Sequence, residues 1–374
     1  MTRKTKSGLI CLAVLLILFG YMGIVMGPSH MLNSIMHTAH DLLLNTCFFL
    51  MAICVLMGAL SKILVDFGVV SLLEKILRPL MKPLFNLPGV ASLGAVMTFL
   101  SDNPTIITLA KDKEFSSYFK KYQLISLTNF GTAFGMGLIV IVFMVGQGFV
   151  WEPFVGLFGA LCGAIVSTRL MQRFTLKAYP EFRDEDADLA APVVEEKQQK
   201  ETGSLFVRIL NALLDGGKSG VDVGLAIIPG VLIISTLVML LTFGPSESGA
   251  YTGGAYEGTA LLPFLADKIG FLFDWLFGFK DTHLVAFPIT ALGAVGAALG
   301  VVPKFIAEGW MDGNGIAVCT AIGMCWSGYL STHTAMLDSL GYRKLTSKAI
   351  GAHTIGGLVA GIVAHFTWLL ISIL

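Results

Sequence analysis

Long apolar segments separated by short polar stretches dominate the chain. Many of them approach the ~18 residues that a membrane-spanning helix needs, and they lie at 8–26, 42–60, 124–145, 149–168, 223–243, 316–337 and 349–374. Two further apolar segments, 91–110 and 284–302, are interrupted by polar residues or bounded by prolines. The pattern predicts an all-α polytopic membrane protein with about seven full spans and two re-entrant hairpins.

The segment 91–110 is apolar at both ends and polar in its middle, where it reads Ser101-Asp102-Asn103-Pro104-Thr105. A charged side chain at bilayer depth costs about 2.5–3.5 kcal/mol, and Pro104 removes a helical N–H and biases Asn103 away from helical angles. The segment is therefore predicted to enter the membrane, turn at 101–104 and return. Such irregular backbone needs protein or a water-filled cavity around it, and broken helices often build transport sites.

The chain divides into two halves that repeat one order of elements. After an extra N-terminal span over 1–36, the region 37–172 reads as span, interfacial helix, broken segment, span and span, and 206–374 repeats that order. The polar run 173–205 between them is predicted to be a flexible cytoplasmic linker. The second broken segment is predicted to form a hairpin over 284–303.

Lysine and arginine residues in short loops set the predicted orientation, because cytoplasmic loops carry an excess of them. Arg3, Lys4 and Lys6 place the N-terminus in the cytoplasm, whereas the loop 244–258 has neither residue type and is predicted to lie outside. These assignments agree only if the two hairpins enter from opposite sides. The halves are therefore predicted to be inverted repeats, an arrangement found in many secondary transporters.

The composition argues against a soluble enzyme. The chain is 55% hydrophobic and 13% charged, whereas soluble domains carry about 25% charged residues. The formal net charge of zero gives no information about nucleic acid or acidic partners. For a polytopic membrane protein we expect no nucleic-acid partner. The sequence has no phosphate-binding loop, dinucleotide fingerprint or paired-cysteine motif, so we expect no catalytic activity, metal or resident cofactor.

Two spans carry polar stripes. In 316–337, Thr320, Ser327, Ser331 and Thr334 recur at helical spacing and are predicted to share one face that borders a cavity. The alternative is that these hydroxyls bond to their own backbone or join neighbouring helices. In 124–145, Asn129 and Thr132 form a shorter stripe, and Asn129 is either a ligand-facing amide or an interhelical hydrogen bond.

Asp102 has two predicted roles at the hairpin tip. It coordinates a cation together with Ser101, Asn103 and Thr105, or it carries a proton. The alternative is a carboxylate that caps the second half-helix of the hairpin. The spans also contain His333, His353 and His365, which are either proton relays or packing hydrogen bonds.

Several segments together resemble the nucleoside-recognition "gate" domain family of bacterial membrane proteins, which includes the spore maturation membrane proteins. They are the run Arg78-Pro79-Leu80-Met81-Lys82-Pro83-Leu84-Phe85-Asn86-Leu87-Pro88-Gly89, the tip Ser101-Asp102-Asn103-Pro104, the motif Asn129-Phe130-Gly131-Thr132 and the glycine-rich run 292–300. The resemblance extends from about residue 37 to 374. Its architecture is similar to that of the concentrative nucleoside transporters, in which inverted repeats with two hairpins hold substrate and a coupling cation.

The resemblance implies a set of site residues. These are Ser101, Asp102, Asn103 and Thr105 at the first tip, Asn129 and Thr132, Thr290 in the second hairpin, and Ser331 and Thr334, beside which the stripe places Ser327. The chain differs from the nucleoside transporters in having no intramembrane glutamate positioned to hold a ribose or sodium.

We therefore expect a secondary transporter that moves a small polar, nucleoside-like or related solute by alternating access. Coupling to Na⁺ or H⁺ stays open, with Asp102 as the expected coupling group. The alternative is a non-transporting scaffold or sensor that uses the same fold. The expected setting is the bacterial cytoplasmic (inner) membrane, with the lipid bilayer and a small solute as partners and a homo-oligomer left open.

Overall fold

The computed structural model describes residues 3–183 and 204–373, which are almost entirely helical and contain no strand. The helices of the first half are α1 (Arg3–Met26), α2 (Pro28–Asp41), α3 (Phe48–Asp66), α4 (Val69–Leu80), α5 (Ala91–Leu100), α6 (Pro104–Lys111), α7 (Lys113–Ser117), α8 (Lys121–Thr132), α9 (Gly137–Gly146) and α10 (Glu152–Ala178). A π-helical turn, Leu42–Cys47, joins α2 to α3 without a break, and another, Met81–Phe85, extends α4.

The second half follows the same order. Its helices are α11 (Leu205–Gly230), α12 (Thr236–Thr242), α13 (Leu261–Ala266), α14 (Gly270–Phe277), α15 (Ala286–Ala291), α16 (Val295–Ala307), α17 (Gly313–Cys325), α18 (Ser331–Ser339) and α19 (Thr346–Ile373). A π-helical turn, Val231–Ser235, joins α11 to α12, as its counterpart joins α2 to α3. The predicted fold class is confirmed, since each half contains a long helix, an interfacial segment, a hairpin, a divided helix and a final helix.

The long helices of the two halves, Pro28–Asp66 and Leu205–Thr242, pack against each other in opposite directions. A Cβ atom added at Gly58 of α3 would lie 2.4 Å from the carbonyl oxygen of Gly216 in α11, and one at Gly224 would lie 2.6 Å from Met51 Cγ. Early residues of one helix therefore meet late residues of the other. The backbones approach this closely because glycines line the contact, as in other membrane helix pairs.

The final helices of the two halves show the same relationship. A Cβ atom at Gly159 of α10 would lie 2.5 Å from the carbonyl oxygen of Ala360, and one at Gly163 would lie 2.4 Å from that of Gly356 in α19. The helices α10 and α19 are thus antiparallel. Antiparallel pairing of equivalent helices is what inverted repeats require.

Both predicted hairpins reverse direction. In the first, a Cβ atom at Gly94 of α5 would contact Ile106 and Leu109 of α6, so the two arms lie side by side. In the second, α15 and α16 pack together and the turn lies at 292–294. The Lys304 Nζ at the end of this hairpin lies 5.3 Å from the Tyr256 ring. Lys304 therefore lies beside the loop 244–258.

Six helices of the described residues are long and apolar enough to cross a membrane. They cover the predicted spans except 316–337, which the structure divides into α17 and α18 because the helix stops at Trp326. The apolar helix that contains the predicted span 42–60 begins at Pro28. The predicted linker is helical as far as Ala178 and forms a 3₁₀ turn over Pro180–Arg183, and its residues 184–203 lie outside the described residues.

Candidate functional site

Three interrupted helices meet at the tip of the first hairpin. The Asn103 side chain, which is 4% exposed, lies between the break that separates α8 from α9 and the break that separates α17 from α18. Its Nδ2 donates a hydrogen bond of 3.0 Å to Ser327 Oγ. This contact joins the hairpin of the first repeat to the divided helix of the second.

Glycines make room for Asn103 in both breaks. A Cβ atom at Gly135 would lie 2.2 Å from Asn103 Oδ1, and one at Gly328 would lie 2.6 Å from Asn103 Nδ2. Gly328 also has a φ of +64°, a left-handed conformation that glycine adopts without steric cost. In the other break Met136 adopts φ of +57°, which for a residue with a Cβ costs on the order of 1 kcal/mol. The two breaks are thus shaped around the hairpin tip.

The rest of the tip is held by short local hydrogen bonds. Ser101 Oγ donates to the carbonyl of Met97 at 2.6 Å and lies 2.7 Å from Thr105 Oγ1, so Thr105 is the donor of the second bond. Asp102 Oδ1 accepts from the Asn103 backbone N–H at 2.7 Å and from Asn103 Nδ2 at 3.0 Å. The carboxylate orients Asn103, and no side chain caps the start of α6.

Two acceptor groups at the tip retain capacity for a ligand. Asn103 Oδ1 is buried and has no hydrogen-bond partner within the described residues. Asp102 is half-buried, and Oδ1 accepts both of its hydrogen bonds from Asn103. An unpaired buried acceptor costs about 1–3 kcal/mol. A donor or cation that reaches this acceptor would therefore be stabilised there.

Serine hydroxyls of the two long helices anchor the two hairpins in related ways. Ser61 Oγ of α3 donates to the carbonyl of Leu100 in the first hairpin at 2.8 Å. Ser235 Oγ, at the end of the π-helical turn, donates to the carbonyl of Ala297 in the second hairpin at 2.8 Å. In each case the serine hydroxyl donates to a carbonyl oxygen close to the turn of a hairpin. Near such a turn fewer backbone groups are available as hydrogen-bond partners.

Asn129 joins helices deep in the protein. Its Nδ2 donates to Ser167 Oγ in α10 and to the carbonyl of Ala349 in α19, each at 2.9 Å, and the residue is fully buried. Ser167 Oγ in turn lies 3.0 Å from His353 Nδ1. This geometry agrees with the interhelical alternative for Asn129, and these contacts do not connect it to the hairpin tip.

Two other predicted site hydroxyls bond to their own helices. Thr132 Oγ1 donates to the carbonyl of Thr128 at 2.7 Å, and Thr290 Oγ1 donates to that of Ala286 at 2.6 Å. Both residues are fully buried. These hydroxyls retain acceptor lone pairs, but their protons are used within the helix.

The predicted single polar face of 316–337 is wrong, because the interruption after Cys325 places its members on two separate helices. Thr320 is buried, and a Cβ atom at Gly156 of α10 would lie 2.5 Å from its Cβ, so it faces α10. Ser327 lies in the break against Asn103. Ser331 and Thr334 are exposed on α18 beyond the break. Of these four, the contacts bring only Ser327 to the tip.

Two histidines, one in α18 and one in α19, lie next to the break between α17 and α18. The rings of His333 and His353 are both fully buried, and their centroids are 4.5 Å apart. Tyr329 packs near both rings, and Trp326 Nε1 donates to the backbone carbonyl of His353 at 3.0 Å. Within the described residues no group of three or more His, Cys, Asp or Glu side chains is arranged to bind a metal ion.

Sequence reasoning missed the roles of Gly135, Gly328 and Thr332. A Cβ atom at Gly328 would lie 2.4 Å from Thr332 Oγ1, so Thr332 borders the same break as Asn103. The pairing of Ser327 with Gly328 was the local signal of an interruption, since glycine and serine in a span weaken the helix.

Comparison with known proteins identifies a family match in the first half of the chain. Residues 47–148, which contain α3, the first hairpin and the divided helix of the first repeat, match the family model described as Gate, nucleoside recognition. The match includes Asn103 and Gly135. It confirms the resemblance for this part of the chain.

Solved structures of CNTnw, a concentrative nucleoside transporter, share the fold. A doubly substituted variant in an outward-facing state has a TM-score of 0.59 at 17% identity, and the match covers 98% of this chain and 84% of that one. The inward-facing, substrate-bound structure has a TM-score of 0.51 at 13% identity, covering 84% and 74%. Identities this low show similarity of fold alone.

A sequence relative is an uncharacterized protein of Alkalihalophilus pseudofirmus, 24% identical over 195 residues. The match covers 49% of this chain and 42% of the relative, so the chain spans less than half of the relative's length. Together, the comparisons show a Gate nucleoside-recognition match over 47–148 within a chain whose whole fold is similar to that of CNTnw.

Proposed function

We propose that this protein is a secondary transporter that carries a small polar solute across the membrane by alternating access. The observation that carries the proposal is the convergence of three interrupted helices on Asn103. Helices broken near the midplane supply free backbone and side-chain groups for a solute, and they provide the points at which a repeat can move.

The acceptors at the tip define what the solute must offer. Asn103 Oδ1 and the Asp102 carboxylate both accept hydrogen bonds, so the solute or its coupling ion supplies donors or positive charge. A nucleoside or related metabolite has hydroxyl and amino donors of this kind. The Gate match over 47–148 supports this solute class.

Asp102 is the proposed coupling group. It is the acidic residue at the tip, and its neighbours Ser101, Asn103 and Thr105 are oxygen donors of the kind that Na⁺ accepts. A proton on the carboxylate is the other form of coupling, because removing a carboxylate from water favours its neutral state. In both cases the bound cation cancels the charge that would otherwise have to cross with the hairpin.

The hairpins are linked through one helix end, which supports a coordinated movement. Gly323 of α17 packs against Phe287 and Val295 of the second hairpin. A Cβ atom added at Gly323 would lie 3.1–3.3 Å from these two side chains. One turn later Ser327 bonds to the first hairpin. A change at one hairpin therefore reaches the other through residues 323–327.

The test is uptake into proteoliposomes of nucleosides, nucleobases and amino acids, with and without Na⁺ and proton gradients. Asp102→Asn is expected to abolish uptake or its cation dependence while expression and insertion persist. The matched control is Asp215→Asn, which removes an exposed carboxylate of α11 outside the site.

Two outcomes would contradict the proposal. If Asp102→Asn took up an identified solute at the wild-type rate and with the wild-type cation dependence, the coupling role would be rejected. The absence of uptake for every solute class, from protein that folds normally, would favour the scaffold alternative.

A further inference from the structure

A cavity lies between α4 and the start of the first hairpin. Its volume is about 420 Å³, and its lining includes Ser71, Glu74, Arg78, Lys82, Gly89 and Tyr118. None of these side chains belongs to the hairpin tip. The cavity is therefore separate from the proposed transport site.

The helix that forms one wall of this cavity has two faces. Ser71, Glu74, Arg78 and Lys82 recur at spacings of three and four, so they share the face toward the cavity. On another face Leu72, Ile76 and Leu80 are 58%, 59% and 44% exposed. Exposed leucine and isoleucine on one side of a helix and basic residues on the other are typical of a helix in the membrane interface.

The charge of the cavity is positive overall. Arg78 pairs with Glu74 through Nη2 at 2.7 Å and Nε at 2.8 Å, so these two charges compensate each other. Lys82 forms no ion pair within the part of the chain that the structure describes. One positive charge therefore remains at the edge of the cavity, beside an arginine that still has guanidinium N–H groups for an anion.

We propose that this cavity binds the phosphate headgroup of an anionic phospholipid, with the acyl chains lying along Leu72, Ile76 and Leu80. The ligand class follows from the adjacency of a cationic cavity and an exposed apolar face at the level of the lipid headgroups. A free phosphate would use the charges but not the apolar face. The inference does not depend on the transport proposal.

The site touches the root of the hairpin. A Cβ atom at Gly89 would lie 2.4 Å from Arg78 Cγ, so the arginine stem lies against the chain entering the hairpin. Ser92 Oγ of α5 donates to the carbonyl of Gly89 at 2.7 Å and lies 3.2 Å from the carbonyl of Glu74. A headgroup bound by Arg78 and Lys82 therefore ties α4 to the hairpin and stabilises this joint.

The experiment measures thermal stability of the purified full-length protein in a zwitterionic detergent, titrated with phosphatidylglycerol or phosphatidylcholine. A ligand that binds only the folded form raises the melting temperature. Phosphatidylglycerol is expected to stabilise the wild type and phosphatidylcholine is not. Lys82→Gln is expected to weaken the phosphatidylglycerol effect about fivefold in apparent affinity, which corresponds to one lysine near a lipid phosphate.

The matched control is Lys75→Gln, because Lys75 is an exposed lysine of the same helix that does not line the cavity. It is expected to keep the wild-type response, and Lys82→Arg is expected to restore it. Equal losses in Lys75→Gln and Lys82→Gln would overturn the site in favour of general surface attraction. Stabilisation by inorganic phosphate alone, at the same concentration as the lipid, would show a soluble anion and overturn the lipid assignment. The melting temperatures without lipid separate a binding defect from a folding defect.

Discussion

The Asn103 side chain donates to Ser327 Oγ at 3.0 Å across 224 residues of sequence. This bond joins a hairpin tip of the first repeat to a helix break of the second, and both residues are buried. The two repeats therefore meet here through side chains and not through a continuous helix. The contact is a direct structural link between the repeats at the proposed site.

Gly135→Ala is expected to displace the hairpin tip. The added Cβ atom would lie 2.2 Å from Asn103 Oδ1, far closer than atoms pack, so either the asparagine or the break must shift. Overpacking of this kind costs about 1–3 kcal/mol. We expect a lower melting temperature and, with a transported solute identified, a loss of uptake.

The control for this change is Gly351→Ala in α19, where an added Cβ atom meets nothing within 4 Å. That variant is expected to match or slightly exceed the wild-type melting temperature, since alanine favours a helix more than glycine does. Equal stability of the two variants would mean that Asn103 does not fill the break at 135 in the working protein.

Asn129→Leu is expected to destabilise the protein. The change removes hydrogen bonds to Ser167 and Ala349 and leaves buried polar groups unpaired, at a cost of about 1–3 kcal/mol. The melting temperature should fall, and the protein that remains folded should keep its affinity for solute. A changed solute affinity with unchanged stability would instead place Asn129 in the binding site, as the sequence resemblance implied.

The two helix interruptions differ in how far local sequence reveals them. The hairpin at 101–104 was predictable because Pro104 and a carboxylate interrupt an apolar segment. The break at 326–330 lacks a proline, and its local signal is limited to the dipeptide Ser327-Gly328. What distinguishes Gly328 is Asn103 beside it, a contact between residues far apart in the chain. Likewise, helical spacing indicates which hydroxyls share a face but not that Thr290 donates to its own backbone.

Cysteine labelling tests the re-entrant path of the second hairpin. On a background without native cysteines, Lys304→Cys and Ser248→Cys are expected to react with a membrane-impermeant reagent from the same side. The reason is that Lys304 Nζ lies over the Tyr256 ring, in the loop that also carries Ser248. The control is Lys344→Cys, in the connection between α18 and α19, which the inverted-repeat arrangement places on the opposite side. Labelling of 304 together with 344 would exclude the hairpin.

Acid should destabilise the protein partly through Glu257, which lies in the loop 244–258 and is 5% exposed. Burial raises the pKa of this carboxyl, but hydrogen bonds from the Thr252 hydroxyl and from the backbone N–H groups of Thr252, at 2.8 Å, and Gly253, at 2.9 Å, outweigh it. The net effect lowers the pKa below its usual 4.5. The unfolded chain then takes up its proton at a higher pH than the folded protein does.

The stabilisation from Glu257 is therefore complete above the unfolded-state pKa and is lost as the pH falls through the folded-state pKa. Melting temperatures between neutral pH and pH 3 should show a steeper decline for the wild type than for Glu257→Gln, which should also be less stable at neutral pH. Glu247→Gln, at an exposed position of the same loop, should follow the wild-type curve. Parallel curves for the wild type and Glu257→Gln would show that these hydrogen bonds do not hold the charged carboxylate in the folded loop.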